Sequence, residues 1–119
     1  MNAEELKTLL QKIRHGRIGI VGDFCLDVYL LLEQAASEIS LETGLPTQPV
    51  RTQRYSLGAA GNVANNLHAM GVEQISAFGV IGKDPFGAEM KRLLDSIGMD
   101  TTGLLVQREQ WDTHVYMKP

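Results

Sequence analysis

The chain has 119 residues, of which 44% are hydrophobic and 21% charged, and its formal net charge is -3. This length fits one globular domain, and the interspersed charges leave no basic stripe for nucleic acid or an anionic membrane surface. No apolar run reaches the roughly 20 residues of a membrane-spanning helix, and the first ten residues are amphipathic rather than signal-like. We therefore expect a cytoplasmic protein whose partners include neither nucleic acid nor a membrane.

Metal and disulfide chemistry are not favoured by the sequence. Cys25 is the only cysteine, so it cannot form an internal disulfide, and the three histidines stand singly with no Cys or carboxylate at ligand spacing. The sequence therefore predicts no metal held by this chain. No base stands near Cys25, which is interpreted as a small buried hydrophobic residue rather than a nucleophile.

The first predicted elements are a helix and a strand. Asn2 and Glu5 have the spacing of a capping box, and an apolar stripe at helical spacing follows and ends near Gly16. Residues 17–23, with the sequence RIGIVGD, form a short apolar run that ends in Gly and Asp. This pattern predicts a buried strand whose carboxyl end opens into a turn.

Two acidic residues, Asp23 and Asp27, follow this strand. Ligands of open α/β sheets bind beyond the carboxyl ends of the strands, where a carboxylate can accept two hydroxyl donors at once. Asp27 is therefore a candidate for holding substrate hydroxyl groups. Each acid could instead serve as a turn or capping residue.

Residues 28–57 mix conflicting patterns. The first part has helical composition, whereas VRTQRY alternates like an exposed strand, and Pro46 and Pro49 favour extended chain. A structureless loop of this length is uncommon in a compact domain. We predict a strand-rich, lid-like insertion that projects from the main sheet and could also form a homodimer contact.

The stretch from Ser56 to Gly71, SLGAAGNVANNLHAMG, predicts a small-residue loop that leads into a helix. Gly58 and Ala59 carry almost no side chain, so a ligand could approach the backbone and the free N–H groups of the helix start. The Asn62 amide can both donate and accept hydrogen bonds. The alternative interpretation is a tight strand-to-helix connection.

Within this helix, Val63, Leu67 and Met70 recur at helical spacing and predict the face that packs on a core. Residues 73–81 predict a second buried strand, joined to the first by a right-handed crossover. A turn follows in which Asp84 caps the next helix and Pro85 takes its first position. That helix is predicted to end at Gly98, and strands are predicted at 103–106 and 113–117.

Three landmarks thus occur in order: a strand followed by GD-x-x-x-D, the segment GAAGN opening a helix, and a strand followed by GKDPFG. This set resembles the N-terminal part of the PfkB/ribokinase family of carbohydrate kinases, over residues 17–119. The family's G-x-x-x-N signature matches Gly58 to Asn62, and its G-[small]-D-x-x-G turn matches Gly82, Asp84 and Gly87. Within the family, IVGDFCLDVY and SEISLETGLPTQPVR are most similar to the kinase half of heptose-phosphate kinase/ADP-heptose synthase proteins.

The resemblance implies an α/β, ribokinase-like three-layer sandwich with a mostly parallel sheet and a β-rich lid, of which this chain is the N-terminal part. It also implies sugar contacts at Asp27, Gly58 and Asn62, with Ala59 adjoining. Leu57 stands where the family usually has a glycine. Cys25 stands where ribokinases tend to carry an Asn that touches the sugar, which argues against ribose.

In this family the catalytic aspartate, the glycine-rich G-A-G-D anion hole and most of the ATP pocket lie beyond the end of this chain. The resemblance therefore implies ATP and Mg²⁺ as cofactors of the complete enzyme, with none held by this chain alone, and an isolated chain that is inactive. The alternative is a non-catalytic sugar-binding or regulatory module. A Rossmann-type dinucleotide domain is less favoured because the first strand gives G-I-V-G rather than G-x-G-x-x-G.

Half of a mostly parallel sheet would expose an unpaired strand edge and an uncovered apolar face. Such surfaces favour association between chains. We therefore predict poor solubility or self-association of the isolated chain.

Overall fold

The computed structural model describes residues 1–119 and contains three α-helices and six β-strands. A single 3₁₀ turn, Gln34–Ala36, lies between the second and third strands. In chain order the elements are α1 Ala3–Arg14, β1 Arg17–Val21, β2 Phe24–Leu32, β3 Val50–Ala59, α2 Ala60–Ala69, β4 Gln74–Gly82, α3 Pro85–Ser96, β5 Asp100–Gln107 and β6 His114–Lys118.

The strands form two three-stranded sheets. The main sheet has the order β1-β4-β5 with all strands parallel, which confirms the predicted α/β class with a parallel sheet. The second sheet, called the lid sheet below, has the order β3-β2-β6, in which β2 pairs antiparallel with β3 and parallel with β6. The chain thus crosses from the main sheet to the lid sheet between β5 and β6.

The core lies where the two sheets meet helices α2 and α3, both of which contact strands of each sheet. Its largest fully buried side chains come mainly from β2, β4 and α3 and include Phe24, Leu26, Ile81, Met90 and Leu94. Burial of such side chains is worth about 1.5–3 kcal/mol each. This shared core fixes the lid sheet relative to the main sheet.

The prediction that β1 and β4 are buried strands is wrong for one of their faces. Ile20, Ala77 and Ile81 are buried, but Phe78 and Val80 on the opposite face are 44% and 39% exposed. The reason is that α2 and α3 cover only one face of the main sheet. A strand whose residues are apolar on both faces is predicted to be buried on both, and its sequence does not tell which face a layer of helices covers.

Helix α1 begins with the predicted capping box. The Glu5 backbone N–H donates to Asn2 Oδ1 over 2.9 Å, and the Asn2 N–H donates to Glu5 Oε2 over 2.8 Å. No residue of α1 is buried, and Ile13 is the one that packs against the core. The apolar stripe of α1 is therefore largely uncovered.

Helix α2 packs through small residues and through Leu67, the one residue of the predicted stripe that lies against the core. Val63 and Met70 are 51% and 49% exposed, whereas Gly61 and Ala64 are buried. A Cβ atom on Gly61 would lie 3.1 Å from the Cβ of Leu57, so the helix lies close to β3. Close approach of helix and strand thus overrides the ordinary apolar periodicity.

Residues 28–57 contain strand rather than the helix that part of their composition indicates. Strand β2 continues to Leu32, because its alternate side chains pack on the core, as buried Val28 shows. The antiparallel pair also extends beyond 28–57 at both ends, since β2 begins at Phe24 and β3 ends at Ala59. The predicted small-residue loop at Ser56–Ala59 is therefore the end of β3, with α2 following directly.

Candidate functional site

One face of the lid sheet carries most of the candidate residues. Residues paired across neighbouring strands point to the same side, and alternate residues along a strand share a face. The strand register therefore defines a face, called the site face below, that consists of Cys25, Asp27, Tyr29, Arg54, Ser56, Gly58, His114, Tyr116 and Lys118.

Asp27 and Gly58 lie next to each other on the site face. Gly58 pairs with Cys25, one alternation from Asp27, and a Cβ atom on Gly58 would lie 3.2 Å from Asp27 Oδ1. Gly58 is buried, and the missing side chain lets the Asp27 carboxylate pack directly against the backbone of β3. A carboxylate in this position can accept hydrogen bonds from hydroxyl groups of a ligand.

The second oxygen of Asp27 is held by a residue that the sequence did not reveal. Lys118 Nζ lies 3.1 Å from Asp27 Oδ2 and 5.0 Å from the centroid of the Tyr29 ring. The hydrogen bond to Asp27 raises the pKa of Lys118 above its usual value. The two oxygens of Asp27 thus have different neighbours: Oδ2 contacts the ammonium group of Lys118, and Oδ1 lies beside Gly58.

Cys25 is buried on the same face, next to Gly58. Its Sγ atom would lie 2.5 Å from a Cβ atom on Gly58. Burial raises the pKa of the Cys25 thiol, and the charge of Asp27 raises it further. The neutral thiol therefore acts as a packing residue, because a cysteine nucleophile requires the thiolate.

The start of α2 adjoins the carboxyl end of β1. The Ala60 N–H donates to the Asp23 carbonyl over 3.0 Å, and no side chain caps the helix. Ala59 has φ 47°, a conformation that favours glycine and costs other residues about 1–3 kcal/mol. Asn62 is exposed in the first turn. The Asn62 amide is thus accessible three residues beyond the end of β3, whereas the Ala60 N–H is bonded within the chain.

The turn before α3 supports β6 rather than carrying chemistry. Asp84 Oδ1 accepts from the Gly87 N–H and Oδ2 from the Thr113 N–H, both over 2.8 Å, while the Gly82 N–H donates to Thr113 Oγ1 over 2.9 Å. Burial raises the pKa of Asp84, but these backbone hydrogen bonds outweigh it and hold the pKa below its usual value. Asp84 therefore caps α3, as predicted, and also fixes the start of β6.

A cleft of about 460 Å³ lies at the opposite, amino-terminal end of the main sheet. Its lining includes Arg17, Glu73 and Asp100. Ligands of parallel α/β sheets bind at the carboxyl ends of the strands, so this end is the less favoured for a site. The structure thus separates this cleft from the site face.

Sequence reasoning identified Asp27 and Gly58, which the structure brings together, and Ala59 and Asn62, which it places at the adjoining helix start. It did not identify Tyr116 or Lys118, which lie on the site face through the pairing of β6 with β2. Their alternation with Val115 was a usable signal for a common face. No signal in the sequence identified β2 as the partner strand of β6, because the two strands are far apart in the sequence.

Two further properties of the chain bear on its chemistry. No three His, Cys, Asp or Glu side chains come together in an arrangement suited to a metal ion. None of the helices is both long and apolar enough to cross a membrane.

Comparison with known proteins places this architecture among sugar kinases. An uncharacterized sugar kinase from Pyrococcus horikoshii, solved in complex with ATP, superposes with a TM-score of 0.57 at 26% identity, covering 84% of this chain and 29% of that one. A sugar kinase from Clostridium perfringens has a TM-score of 0.64 at 20% identity, covering 85% and 30%. The fold is therefore that of the ribokinase-like sugar kinases, represented here by one part.

Comparison of the sequence identifies the family as well as the fold. Residues 17–117 match the family model of the pfkB family carbohydrate kinases, and the chain therefore belongs to that family. The chain is 36% identical over 110 residues to the bifunctional protein HldE of Citrifermentans bemidjiense, covering 92% of this chain and 22% of that protein. It is 35% identical over 91 residues to the D-beta-D-heptose 7-phosphate kinase of Bordetella bronchiseptica, covering 76% and 28%. The chain thus spans between a fifth and a third of these relatives.

Proposed function

We propose that this chain forms the N-terminal, sugar-binding part of a carbohydrate kinase that acts in the cytoplasm. The complete protein would transfer the γ-phosphate of ATP to a hydroxyl group of a sugar or sugar phosphate. The observation that carries the proposal is the partly exposed Asp27 carboxylate on the site face, which packs against Gly58 and is bonded to Lys118 through Oδ2 alone. The family and the names of the relatives support the same chemistry.

Each candidate residue has a defined task in this proposal. Asp27 accepts hydrogen bonds from neighbouring hydroxyl groups of the sugar, and Gly58 leaves the space against β3 that the Asp27 carboxylate occupies. Asn62 donates or accepts through its amide, and the uncapped start of α2 beside Ala59 offers backbone N–H groups. The lid sheet excludes water from the bound sugar, so that ATP would not be hydrolysed instead.

Phosphoryl transfer itself needs groups that this chain does not offer. Catalysis of this reaction consists mainly of positioning and of stabilising charge on the phosphate oxygens. ATP supplies the transferred group and Mg²⁺ neutralises its charge, yet the chain has no cluster of acids suited to a metal ion. We propose that residues outside this chain hold both cofactors and that the chain alone is inactive.

Calorimetric titration with a panel of sugars and sugar phosphates tests the binding function. We expect saturable binding of at least one sugar, and we expect Asp27→Asn to weaken it about tenfold or more because a charged acceptor is lost. Glu109→Gln removes one negative charge from an exposed turn and is the matched control. Binding that is absent, or that is equally strong in the Asp27→Asn protein, would contradict the sugar site.

An assay of ATP-dependent phosphorylation on the same panel tests the second part. We expect no turnover by the chain alone, and clear turnover would contradict the proposed inactivity. The alternative function, a non-catalytic sugar-binding or regulatory module, also predicts binding without turnover. The two are separated by the DNA downstream, because only a kinase part continues into an open frame that encodes G-A-G-D.

A further inference from the structure

The face of the main sheet opposite helices α2 and α3, called the uncovered face below, is polar at one end and apolar at the other. Alternate residues along each strand share a face. The register therefore places Arg17 on β1, Ser76 on β4 and Asp100 on β5 at the amino-terminal end. Apolar side chains lie towards the carboxyl end: Val21, Phe78, Val80 and Leu105. A molecule that fits this face offers charge at one end and apolar surface at the other.

Phe78 lies flat across the middle of the uncovered face. A Cβ atom on Gly19 would lie 3.2 Å from Phe78 Cε2, and one on Gly103 would collide with Cδ1, the opposite atom of the ring. The ring thus extends over two positions that lack side chains, and Phe78 is 44% exposed. Carbon atoms pack about 3.5 Å apart, so a sheet, two stacked rings and a second sheet span about 10 Å. This is the ordinary spacing of two packed sheets.

Arg17 and Asp100 carry charges that are not paired within the chain. Both residues are exposed, and none of the ion pairs involves either of them. Asp100 Oδ1 accepts from the N–H and the hydroxyl group of Thr102 over 3.0 Å and 2.7 Å, whereas Oδ2 accepts only from Ser76 Oγ at 3.5 Å. Each charge can therefore pair with an opposite charge on a molecule that covers this face.

A second copy of the chain matches this surface when the two sheets pack around a two-fold axis parallel to β4. The rotation places β1 of each copy over β5 of the other and keeps the amino-terminal ends together. Arg17 then faces Asp100 of the second copy, one row of side chains or about 6.7 Å further along the strand, within reach of a long side chain. The contact occurs twice by symmetry. The two Phe78 rings meet on the axis.

The other face-to-face arrangement does not match. A two-fold axis across the strands would place the amino-terminal end of each sheet over the carboxyl end of the other. Arg17 would then face Val21 of the second copy, and Asp100 would face Leu105. Burial of unpaired charges against apolar side chains is costly. The charges therefore select the parallel arrangement.

We propose that two copies of this chain form a parallel, face-to-face dimer in which Phe78 stacks on Phe78 and Arg17 pairs with Asp100 of the second copy. Nine residues of β4 and three strands give a face of about 30 by 14 Å, or about 400 Å² per copy. A standard stable interface buries about 800 Å² per partner, so the dimer is reversible rather than permanent. None of these residues belongs to the site face, and the dimer does not depend on the proposed sugar binding.

Charge reversal and mixing test the dimer. Analytical ultracentrifugation from about 1 μM to about 1 mM should show a reversible equilibrium between monomer and dimer. Arg17→Asp and Asp100→Arg should each weaken it about tenfold or more, because two attractive contacts become repulsive. An equimolar mixture of the two variants should restore it, since each contact again joins an aspartate with an arginine. Phe78→Ala should weaken the dimer about tenfold, because both stacked rings are lost.

The matched controls reverse the same charges elsewhere. Arg54→Asp on β3 and Asp112→Arg before β6 change exposed residues outside the main sheet and should leave dimerisation unchanged. Asp100→Asn is a second, milder variant, because its Oδ1 can still accept from Thr102 while the charge is removed. It should weaken the dimer several-fold. Circular dichroism verifies that every variant is folded.

Every outcome supports or overturns the dimer. A chain that stays monomeric over the whole range overturns it, and so do larger species without a dimer, which indicate open association through strand edges. A mixture that does not restore the dimer shows that Arg17 and Asp100 do not meet between copies and overturns the arrangement. An unchanged dimer in Phe78→Ala, or equal weakening in the two controls, overturns it as well.

Discussion

Gly58 lacks a side chain at the point where β3 passes Cys25 and Asp27. The position is extended backbone, so the requirement for glycine comes from space rather than from a left-handed conformation. A methyl group here would lie 2.5 Å from Cys25 Sγ and 3.2 Å from Asp27 Oδ1. Gly58 therefore leaves room for two neighbours on the site face, the Cys25 thiol and the Asp27 carboxylate.

We predict that Gly58→Ala lowers the free energy of unfolding by about 1–3 kcal/mol, the usual cost of overpacking. We also predict that it abolishes sugar binding, because the new methyl group occupies the space beside Asp27 Oδ1. Urea unfolding measures the first effect and calorimetric titration the second.

The double variant Gly58→Ala, Cys25→Ala separates these two causes. Removing Sγ relieves the contact at 2.5 Å, so the second substitution should cost less stability in the Gly58→Ala background than in the original chain. Sugar binding should remain lost, because the methyl group still lies beside Asp27. Recovery of binding in the double variant would show that Gly58 acts through packing alone.

The residues of the site differ in how far the sequence could reveal them. Asp27 and Gly58 carry their chemistry in their residue type, although Asp27 lies within β2 and not in a turn beyond the end of β1. Lys118 has no such signal, because its role depends on the parallel pairing of β6 with β2. The positive φ of Ala59 was equally hidden, since alanine rarely adopts it and only the surrounding structure imposes it.

At the scale of elements, the turn between β4 and α3 connects the two sheets. Asp84 binds the N–H groups of Gly87 in α3 and of Thr113 before β6. A Cβ atom on Gly82 would collide with Asp84 Oδ2, so the turn is closed around the carboxylate. The family's G-[small]-D-x-x-G signature therefore has a structural purpose in this chain: it holds β6, and with it Lys118, in the lid sheet.

We predict that Asp84→Asn destabilises the chain by about 1.5–3 kcal/mol at neutral pH, because hydrogen bonds to a charged acceptor are replaced by weaker ones. The pKa of Asp84 is lower in the folded than in the unfolded chain. Its contribution is therefore present above about pH 4, the pKa of an unfolded aspartate, and is lost as the pH falls through the folded value. Urea unfolding from pH 7 to pH 2 measures both effects.

The difference in stability between the original chain and Asp84→Asn should be constant above about pH 5 and should shrink below about pH 4. Asp112→Asn, an exposed residue next to Thr113, is the control and should show no such convergence. A difference that persists unchanged at pH 2 would mean that the Asp84 charge does not hold the turn.

Local signals predicted the elements well where the stabilising contacts are themselves local. The capping box of α1 and the Asp84–Pro85 start of α3 lie within a few residues of sequence, and both are present. The predicted packing of α2 was wrong for Val63 and Met70, because the buried face of the helix is set by contacts with β1 and β2, which are distant in the sequence. Sheet membership of β6 likewise depends on a distant strand, so no periodicity in the sequence could assign it.

At the scale of the whole molecule, the chain is elongated. Its radius of gyration is 18.9 Å, and its extents are 63 × 39 × 20 Å. A compact domain of this length has a radius of gyration of about 13–14 Å. The lid sheet, the largely uncovered α1 and the single layer of helices on the main sheet account for this extended shape.

The uncovered face of the main sheet is apolar and continuous across its three strands. Val21, Phe78, Val80 and Leu105 lie on this face, because the register pairs Val21 with Phe78 and Val80 with Leu105. Their exposed fractions range from 39% to 83%. Exposed apolar patches of this kind drive association, and the unpaired edges of β1 and β5 add hydrogen-bonding groups to the same surface.

We predict that the isolated chain self-associates through this face and that Leu105→Glu shifts it towards the monomer. Leu105 is 66% exposed, so the substitution should change the free energy of unfolding by less than about 0.5 kcal/mol. Light scattering across a concentration series measures the association, and Leu41→Glu, at a fully exposed leucine outside both sheets, is the matched control. A monodisperse original chain would contradict the prediction.

Association that persists in the Leu105→Glu protein would show that the contact between chains lies elsewhere. The homodimer contact predicted for the lid is then tested by Tyr116→Glu, because Tyr116 is exposed on the site face.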